Sequence, residues 1–358
     1  MLNHEHYMRR CIELARLGLA SVSPNPMVGA VIVCDDVIIG EGYHMKFGEA
    51  HAEVNAIKSV FDSFSNAEEL LKRSTMYVNL EPCTHFGKTP PCADLIINNY
   101  IPRVVIGCRD SFPHVNGKGI EKLREAGLDV VEGVLENECS SLNKRFTTRI
   151  EKQRPYIILK WAQTKNGFFA PKDGSQKWIS SMQAKQMVHR WRSEEDAVLI
   201  GKNTGLADNP RLDIRKWSGK RPIRIIVDRH LDLPESLNIF DQSQDTIIFN
   251  SIKSGLNGRI KYLTLEDFDY LLPQLICYQL YLMDVQSIII EGGATMLSLF
   301  IEAGLWDEAR VFTGPKEWES GIQSPVLTGK PVQTTSIGPD ILNIWQNGLI
   351  SEPHPFSD

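Results

Sequence analysis

Four residues in the first hundred have the types and spacing to do chemistry together: His51, Glu53, Cys83 and Cys92. An imidazole and two thiolates form a donor set for zinc, whose borderline softness suits nitrogen and sulfur together. A catalytic zinc takes three protein ligands and leaves its fourth position to water. That water, its pKa lowered to about 7, yields hydroxide at neutral pH. A carboxylate must then carry protons from the water to a ring nitrogen and a departing amine. Glu53 lies two residues from His51, near enough to reach the same water without ligating the metal. A closed structural zinc would instead need a fourth protein ligand, and His85 is placed to supply it. Cys11, Cys34, Cys108, Cys139 and Cys277 read as core residues, because free cysteine is among the most buried residue types.

The order His-x-Glu, then Pro-Cys, then Cys is the pattern of nucleobase deaminases. Those proteins often show Cys-x-x-Cys, whereas eight residues separate Cys83 from Cys92 here. The segment around them is more selective. Pro24-Asn25-Pro26-x-Val28-Gly29, Gly40-x-Gly42-x-His44, His51-Ala52-Glu53-Val54 and Glu81-Pro82-Cys83-Thr84-His85-x-Gly87-Lys88-Thr89-Pro90-Pro91-Cys92 resemble the bifunctional riboflavin-biosynthesis deaminase/reductase family. The resemblance implies one zinc per chain on His51, Cys83 and Cys92, with Glu53 as proton shuttle. It places Asn25, His44 and His85 near the substrate as candidates. It departs at Asp110-Ser111-Phe112-Pro113, where the family usually has Asp-Pro-Asn-Pro, so that loop's substrate contacts are open.

A second constellation lies in the other half. Ile288-Ile289-Ile290-Glu291-Gly292-Gly293-Ala294-Thr295 is a β-rich run, two glycines and a helix start. Glycines admit close backbone approach, and a helix N-terminus attracts phosphate. The three spaced glycines of a Rossmann fingerprint are missing. With Arg154-Pro155-Tyr156-x-x-Leu159-Lys160, Lys177-Trp178-Ile179-Ser180, Asp196-Ala197-x-Leu199-x-Gly201-x-x-Thr204, Ala207-Asp208-Asn209-Pro210-x-Leu212 and Ile225-x-Val227-Asp228, the run resembles the reductase half of the same family. That half has a dihydrofolate-reductase-like fold and uses NADPH. Carried over by position, the cofactor contacts are Ala162, Trp178, Thr204, Asp208, Gly293, Ala294 and Thr295. The substrate contacts are Gln176, Arg192, Leu212, Arg215 and Glu291. Two arginines can grip a phosphate bidentately, Trp178 offers a flat face to an aromatic ring, and Glu291 can accept hydrogen bonds from sugar hydroxyls. Thr164-Lys165-Asn166-Gly167 replaces the usual Ser-Leu-Asp-Gly, and Gln176 replaces a usual serine.

These residues need elements to hold them. Apolar periodicity predicts a helix over residues 4–20, a hairpin over 28–34 and 37–42, and a helix over 51–60. Strands follow at 76–80, 104–108 and 128–131, with helices at 90–98 and 119–126. Residues 136–153 are polar and helix-prone. A new strand then begins at 156–161, which sets the domain boundary near residue 150: a zinc-dependent pyrimidine deaminase domain over 1–150 and an NADPH-dependent reductase domain over 151–358. The second half repeats the rhythm, with strands near 197–200, 223–228, 245–249 and 287–291 and helices near 181–192, 266–282 and 294–303. Strands alternating with helices define an α/β class. The resemblance makes it a cytidine-deaminase-like three-layer domain followed by a dihydrofolate-reductase-like domain.

At 358 residues, two domains are expected. A formal net charge of −5 supplies no basic field, which weighs against a nucleic-acid-editing deaminase. No run of about 18 apolar residues suggests a membrane span. Seven scattered cysteines fit a reducing cytoplasm. The resemblance implies a phosphorylated pyrimidine as substrate, 2,5-diamino-6-ribosylamino-4(3H)-pyrimidinone 5′-phosphate, and a homo-oligomer is expected. The alternative is a deaminase whose reductase-like domain serves only binding or assembly.

Overall fold

The computed structural model describes residues 4–84, 90–112, 115–172 and 178–348. The chain divides into two compact units, Met1–Gln153 and Arg154–Asp358.

The N-terminal unit is a five-stranded sheet between two helical layers. Its elements are α1 (His4–Arg16), β1 (Gly29–Cys34), β2 (Val37–Tyr43), α2 (Ala52–Ser63), α3 (Ala67–Leu71), β3 (Thr75–Leu80), α4 (Cys92–Asn98), β4 (Arg103–Cys108), α5 (Lys118–Glu125), β5 (Asp129–Val131), α6 (Glu136–Leu142) and α7 (Lys144–Lys152). The sheet order is β2-β1-β3-β4-β5. β1 is antiparallel to β2 and β3, while β3, β4 and β5 run parallel. The β1–β2 hairpin turns on Asp35 and Asp36, both at positive φ, the backbone that tight hairpins need. Alternating β1 residues feed two cores. Ala30 and Ile32 meet α2, α4 and α5, and Val31 and Val33 meet α1 and α6. α1 is shorter than its apolar pattern predicts. Residues 17–19 instead close turns onto the carbonyls of Leu14, Ala15 and Arg16, and Gly18 lies where a Cβ would stand 2.6 Å from the His44 carbonyl oxygen.

The C-terminal unit holds β6 (Tyr156–Gln163), β7 (Phe168–Ala170), α8 (Met182–Glu194), β8 (Ala197–Gly201), α9 (Lys202–Asp208), β9 (Ile223–Val227), β10 (Thr246–Asn250), β11 (Gly255–Asn257), β12 (Ile260–Thr264), α10 (Leu272–Leu282), β13 (Ser287–Ile290), α11 (Ala294–Glu302), β14 (Glu308–Thr313), β15 (Ile322–Gln323), β16 (Gln333–Ile337) and β17 (Asp340–Gln346). Ten strands form one sheet in the order β11-β12-β10-β9-β8-β13-β6-β14-β17-β16. The stretch from β12 to β14 is parallel throughout. α10 and α11 cover one face, and α8 packs on the other. α10 begins at Leu272 and not at 266. Asp267 turns its carboxylate back to accept the Asp269 and Tyr270 N–H groups, and Pro273 sits in the helix's first turn. The chain passes from β6 outward to β8, β9, β10 and β12, then returns to place β13 between β8 and β6. That reversal creates a crevice at the strands' carboxyl ends, where α/β sheets bind ligands.

Candidate active sites

In the N-terminal unit, α2 carries His51 as its N-cap and Glu53 in its first turn. The helix is pressed onto β2 at Gly40 and Gly42. A Cβ on Gly42 would lie 2.3 Å from Ala56 N, and one on Gly40 would lie 2.5 Å from Val60 Cγ2. The Gly-x-Gly pair is therefore a docking groove for the helix that bears the site. Cys83 follows the end of β3, and Cys92 is the first residue of α4. His51 Nδ1 lies 3.3 Å from Cys92 Sγ and 3.6 Å from Cys83 Sγ. Three ligands at the usual 2.0–2.3 Å around a tetrahedral zinc stand roughly 3.3–3.8 Å apart. The donor set therefore fits one zinc ion. It is the one such cluster among the described residues. His85 lies outside those residues.

Electrostatics prepares the ligands. Hydrogen bonding from Cys92, and then from His51, pulls the Cys83 thiol down to about 4 against the effect of burial. Cys92 is pushed up by its thiolate neighbour and by burial. Glu53 is buried and raised above the ordinary carboxyl range by desolvation and by the Cys83 charge.

His51, Glu53 and Cys83 line a pocket of about 390 Å³. Asn25 and His44 line it. His44 Nδ1 lies 3.0 Å from the Ala50 carbonyl oxygen, which can only accept, so Nδ1 carries the proton. His44 Nε2 then accepts from Asn25 Nδ2 at 3.1 Å, leaving Asn25 Oδ1 as that side chain's free acceptor. Burial lowers the His44 pKa and keeps the ring neutral. Asp110 and Phe112, from the loop that departs from the family pattern, also line the pocket. Burial pushes Asp110 up to about 6. Pro113 lies outside the described residues.

Sequence reasoning quoted Glu81 without giving it a role. Its carboxylate accepts the N–H groups of Asp110 at 3.2 Å, Gly117 at 2.9 Å, Gly119 at 2.8 Å and Ile120 at 3.3 Å. It clamps the pocket loop and the start of α5 to the strand end that bears Cys83. Two asparagines were also missed. Asn79 Oδ1 accepts from Gly29 N, and Asn143 Oδ1 from Met27 N, which pins the segment behind Asn25.

In the C-terminal unit, a second pocket of about 430 Å³ opens at the carboxyl ends of β6, β8 and β13. It gathers Trp178, Thr204 and Asp208 with Arg192, Leu212, Arg215 and Glu291. Ala162 lies further along β6, and Gly293, Ala294 and Thr295 form the β13–α11 turn; none of the four is in the pocket lining. Gly293 has φ 73°, and a Cβ there would stand 3.3 Å from Thr204 Oγ1, so the turn is a cradle open only to glycine. Together, a glycine turn at a helix start, an exposed indole and a polar pocket fit a nicotinamide dinucleotide. Gln176 lies outside the described residues.

Arg192 is held in the pocket wall by the protein's own acceptors. Its Nε and Nη2 donate to Glu291 Oε1 and Oε2 at 2.6 and 2.8 Å, and its Nη1 donates to the Asp213 carbonyl at 3.1 Å. One N–H on each of Nη1 and Nη2 remains beyond these bonds. Lys160 lies 3.7 Å from the same Glu291. Burial alone would raise Glu291, but Arg192 and Lys160 hold it down at about 2. Burial also lowers Lys160, with Glu291 opposing. Lys160 was legible as a lone cation in the apolar strand Tyr156–Gln163, a signal the sequence reading left without a role. Arg215 pairs with the Asp213 carboxylate. Asn166, the departure that left the reductase open to doubt, lies outside the pocket lining. It bridges the β6–β7 turn to Trp318, donating to its carbonyl and accepting from its N–H.

Comparison with known proteins agrees with both halves. The model of the cytidine and deoxycytidylate deaminase zinc-binding region matches residues 1–108, and that of the RibD C-terminal domain matches residues 155–334. The chain is 40% identical to the riboflavin biosynthesis protein RibD of Aquifex aeolicus, over 89% of this chain and 88% of that one. It is 36% identical to RibD of Escherichia coli, over 88% of each. A crystal structure from Thermotoga maritima, of a diaminohydroxyphosphoribosylaminopyrimidine deaminase/5-amino-6-(5-phosphoribosylamino)uracil reductase, superposes with a TM-score of 0.86. It is 36% identical and covers 96% of this chain and 98% of that one. The chain belongs to the RibD family of bifunctional deaminase/reductases of riboflavin biosynthesis.

Proposed function

We propose that residues 1–150 deaminate 2,5-diamino-6-ribosylamino-4(3H)-pyrimidinone 5′-phosphate and residues 151–358 reduce the product's ribosyl chain to ribityl with NADPH. The observation that carries the reading is the His51, Cys83, Cys92 donor cluster with buried Glu53 beside it, of which His51, Glu53 and Cys83 line one pocket. The Thermotoga relative bears the names of both half-reactions.

When bound, zinc on His51, Cys83 and Cys92 supplies an acidified water. Glu53 would take one proton from that water and pass it to the ring nitrogen, and would then carry a second, from the hydroxyl left on the ring carbon, to the leaving amine. Oxygen bonds to the ring carbon, the carbon–nitrogen bond breaks, and ammonia departs. Asn25 Oδ1 accepts from an exocyclic amino group, and neutral His44 holds Asn25 in place.

In the other pocket, NADPH when bound supplies hydride. Trp178, Thr204, Asp208 and the Gly293–Thr295 turn, with Ala162 beside them, hold the cofactor. Glu291, kept ionised, accepts from the ribosyl hydroxyls, and Arg192 positions it. Gln176, Leu212 and Arg215 complete the substrate end. All seven cysteines are free of disulfides, which supports a reducing cytoplasm as the compartment. No helix among the described residues is long and apolar enough to cross a membrane. Assembly as a homo-oligomer belongs to the same reading, and light scattering of the purified chain checks it.

The test is metal analysis of purified protein alongside separate assays of ammonia release and NADPH oxidation. One zinc per chain with both activities is the expected result. Ammonia release without NADPH-dependent reduction would make the second domain a binding or assembly module.

A further inference from the structure

The Asn209–Leu212 stretch of the C-terminal pocket wall has no helix or strand of its own to hold it. It follows directly on α9, which carries Thr204 and Asp208. Two of its residues stand at positive φ without being glycine, Asn209 at 38° and Leu212 at 51°. Asparagine tolerates that region. A buried leucine there stores strain and persists only where its surroundings over-determine it.

Those surroundings come from one loop. Residues 238–246 run from a single-turn 3-10 helix, Asn238–Phe240, into β10. Asn238 N donates to Asn209 Oδ1 at 2.7 Å, and Asn238 Nδ2 donates to the Asn209 carbonyl oxygen at 2.7 Å. Gln244 Nε2 donates to the carbonyl oxygens of Leu212 and Pro222, both at 3.2 Å. Both positive-φ residues are thus gripped from the same side.

The loop itself hangs on Arg224, the lone cation in the apolar strand Ile223–Val227 and the largest fully buried side chain among the described residues. Its Nε donates to Thr246 Oγ1 at 2.9 Å and its Nη1 to the Asn238 carbonyl at 2.8 Å. Its Nη2 donates to Asp241 Oδ1 at 2.8 Å and to the Gln244 carbonyl at 3.2 Å. Every one of these acceptors lies within residues 238–246. Two of them are the backbone of Asn238 and Gln244, the residues that reach the pocket wall. Packing alone would be served by an apolar residue, as at the other positions of the strand; what the cation adds is a fixed loop.

We infer that Arg224 is a positioning residue of the reductase pocket: through Asn238 it fixes the end of α9 that carries Asp208, and through Gln244 it fixes Leu212. The inference rests on the reading that this pocket reduces a substrate with a dinucleotide, with Asp208 toward the cofactor and Leu212 toward the substrate.

Full-length Asn238→Ala, Gln244→Met and Arg224→Lys test it. Reduction of the deaminated intermediate is measured while varying NADPH or the intermediate, beside thermal melting and ammonia release. One neutral hydrogen bond lost is worth roughly twofold to tenfold in an equilibrium constant. Asn238→Ala should raise the NADPH constant by that much and leave the KM for the intermediate near wild type. Gln244→Met should do the reverse. Lysine keeps a charge beside Asp241, but its three donors share one nitrogen and cannot span the four acceptors of Arg224. Arg224→Lys should therefore move both constants together, and if it does not fold, the other two variants decide. Variants that melt lower while both constants and kcat hold, beside an active wild type, make the network structural only and overturn the inference. A folded Arg224→Lys protein with wild-type constants overturns Arg224 as the anchor. A wild type with no NADPH-dependent reduction overturns the reading of the pocket itself, before any variant is compared.

Discussion

Gly42→Ala tests whether α2 sets the deaminase geometry through its seat on β2. The added Cβ would lie 2.3 Å from Ala56 N and 2.5 Å from Ala52 O, where ordinary contact begins near 3.4 Å. Both atoms are backbone, so no rotamer change relieves the clash, and the helix must move away by about 1 Å. His51 and Glu53 sit at that helix's start and move with it. A misplacement of about 1 Å can cost on the order of a hundredfold in rate. Overpacking of this kind destabilises by roughly 1–3 kcal/mol, a melting shift of roughly 2–12 °C for a unit of this size. Ammonia release should fall about a hundredfold, while NADPH-dependent reduction of the deaminated intermediate stays normal and shows that the C-terminal unit is folded. Melting and zinc content separate displacement from unfolding. A variant with wild-type kcat/KM for deamination would refute the claim that Gly42 is needed to seat the helix.

Other outcomes follow from the same geometry. Cys83→Ser should lose most of the zinc by metal analysis, and retention of full metal with full activity would remove Cys83 from the ligand set. Glu53→Gln should keep zinc and lose deamination by roughly a hundredfold to ten-thousandfold, measured as ammonia release, since the carboxylate carries protons without ligating. Asp208→Ala should raise the NADPH constant while the KM for the intermediate changes little; the reverse pattern would reassign Asp208 to the substrate. Glu291, at about 2 in the folded protein against an ordinary 4.5, contributes stability that is fully present above about pH 4.5 and is lost as pH falls through about 2. The difference in unfolding free energy between wild type and Glu291→Gln should therefore shrink on acidification through that window, and a difference that is constant with pH would refute the depressed value.

What the sequence made legible, and what it hid, follows from the kind of physics each residue serves. His51, Cys83 and Cys92 stand out because few residue types can ligate zinc, and their spacing survives as a pattern in the chain. Strands such as Gly29–Cys34 and Ser287–Ile290 announce themselves by continuous apolar runs. Glu81, Asn79 and Asn143 gave no such signal. They work by satisfying backbone N–H groups of distant loops, and Asn143 reaches Met27 across 116 positions. Nothing in local composition marks which loop an asparagine will hold. The short strands β15 and β16 were missed for a related reason. Mostly exposed and polar, they form by pairing with β7 and β17, not by an apolar run of their own.

Arg192 shows the limit most sharply. Position in a family pattern carries a residue's type, and type says that a guanidinium can hold a phosphate. It does not say whether the fork is already occupied. In this pocket Glu291 occupies it across 99 positions of sequence, held on its other side by Lys160. Pairing is a property of the folded arrangement, and here it orients Arg192 while leaving one N–H on each terminal nitrogen beyond those given to Glu291 and Asp213. A cation's availability for ligand is therefore decided by its neighbours in space as well as by its type, and the chain pattern carries only the type.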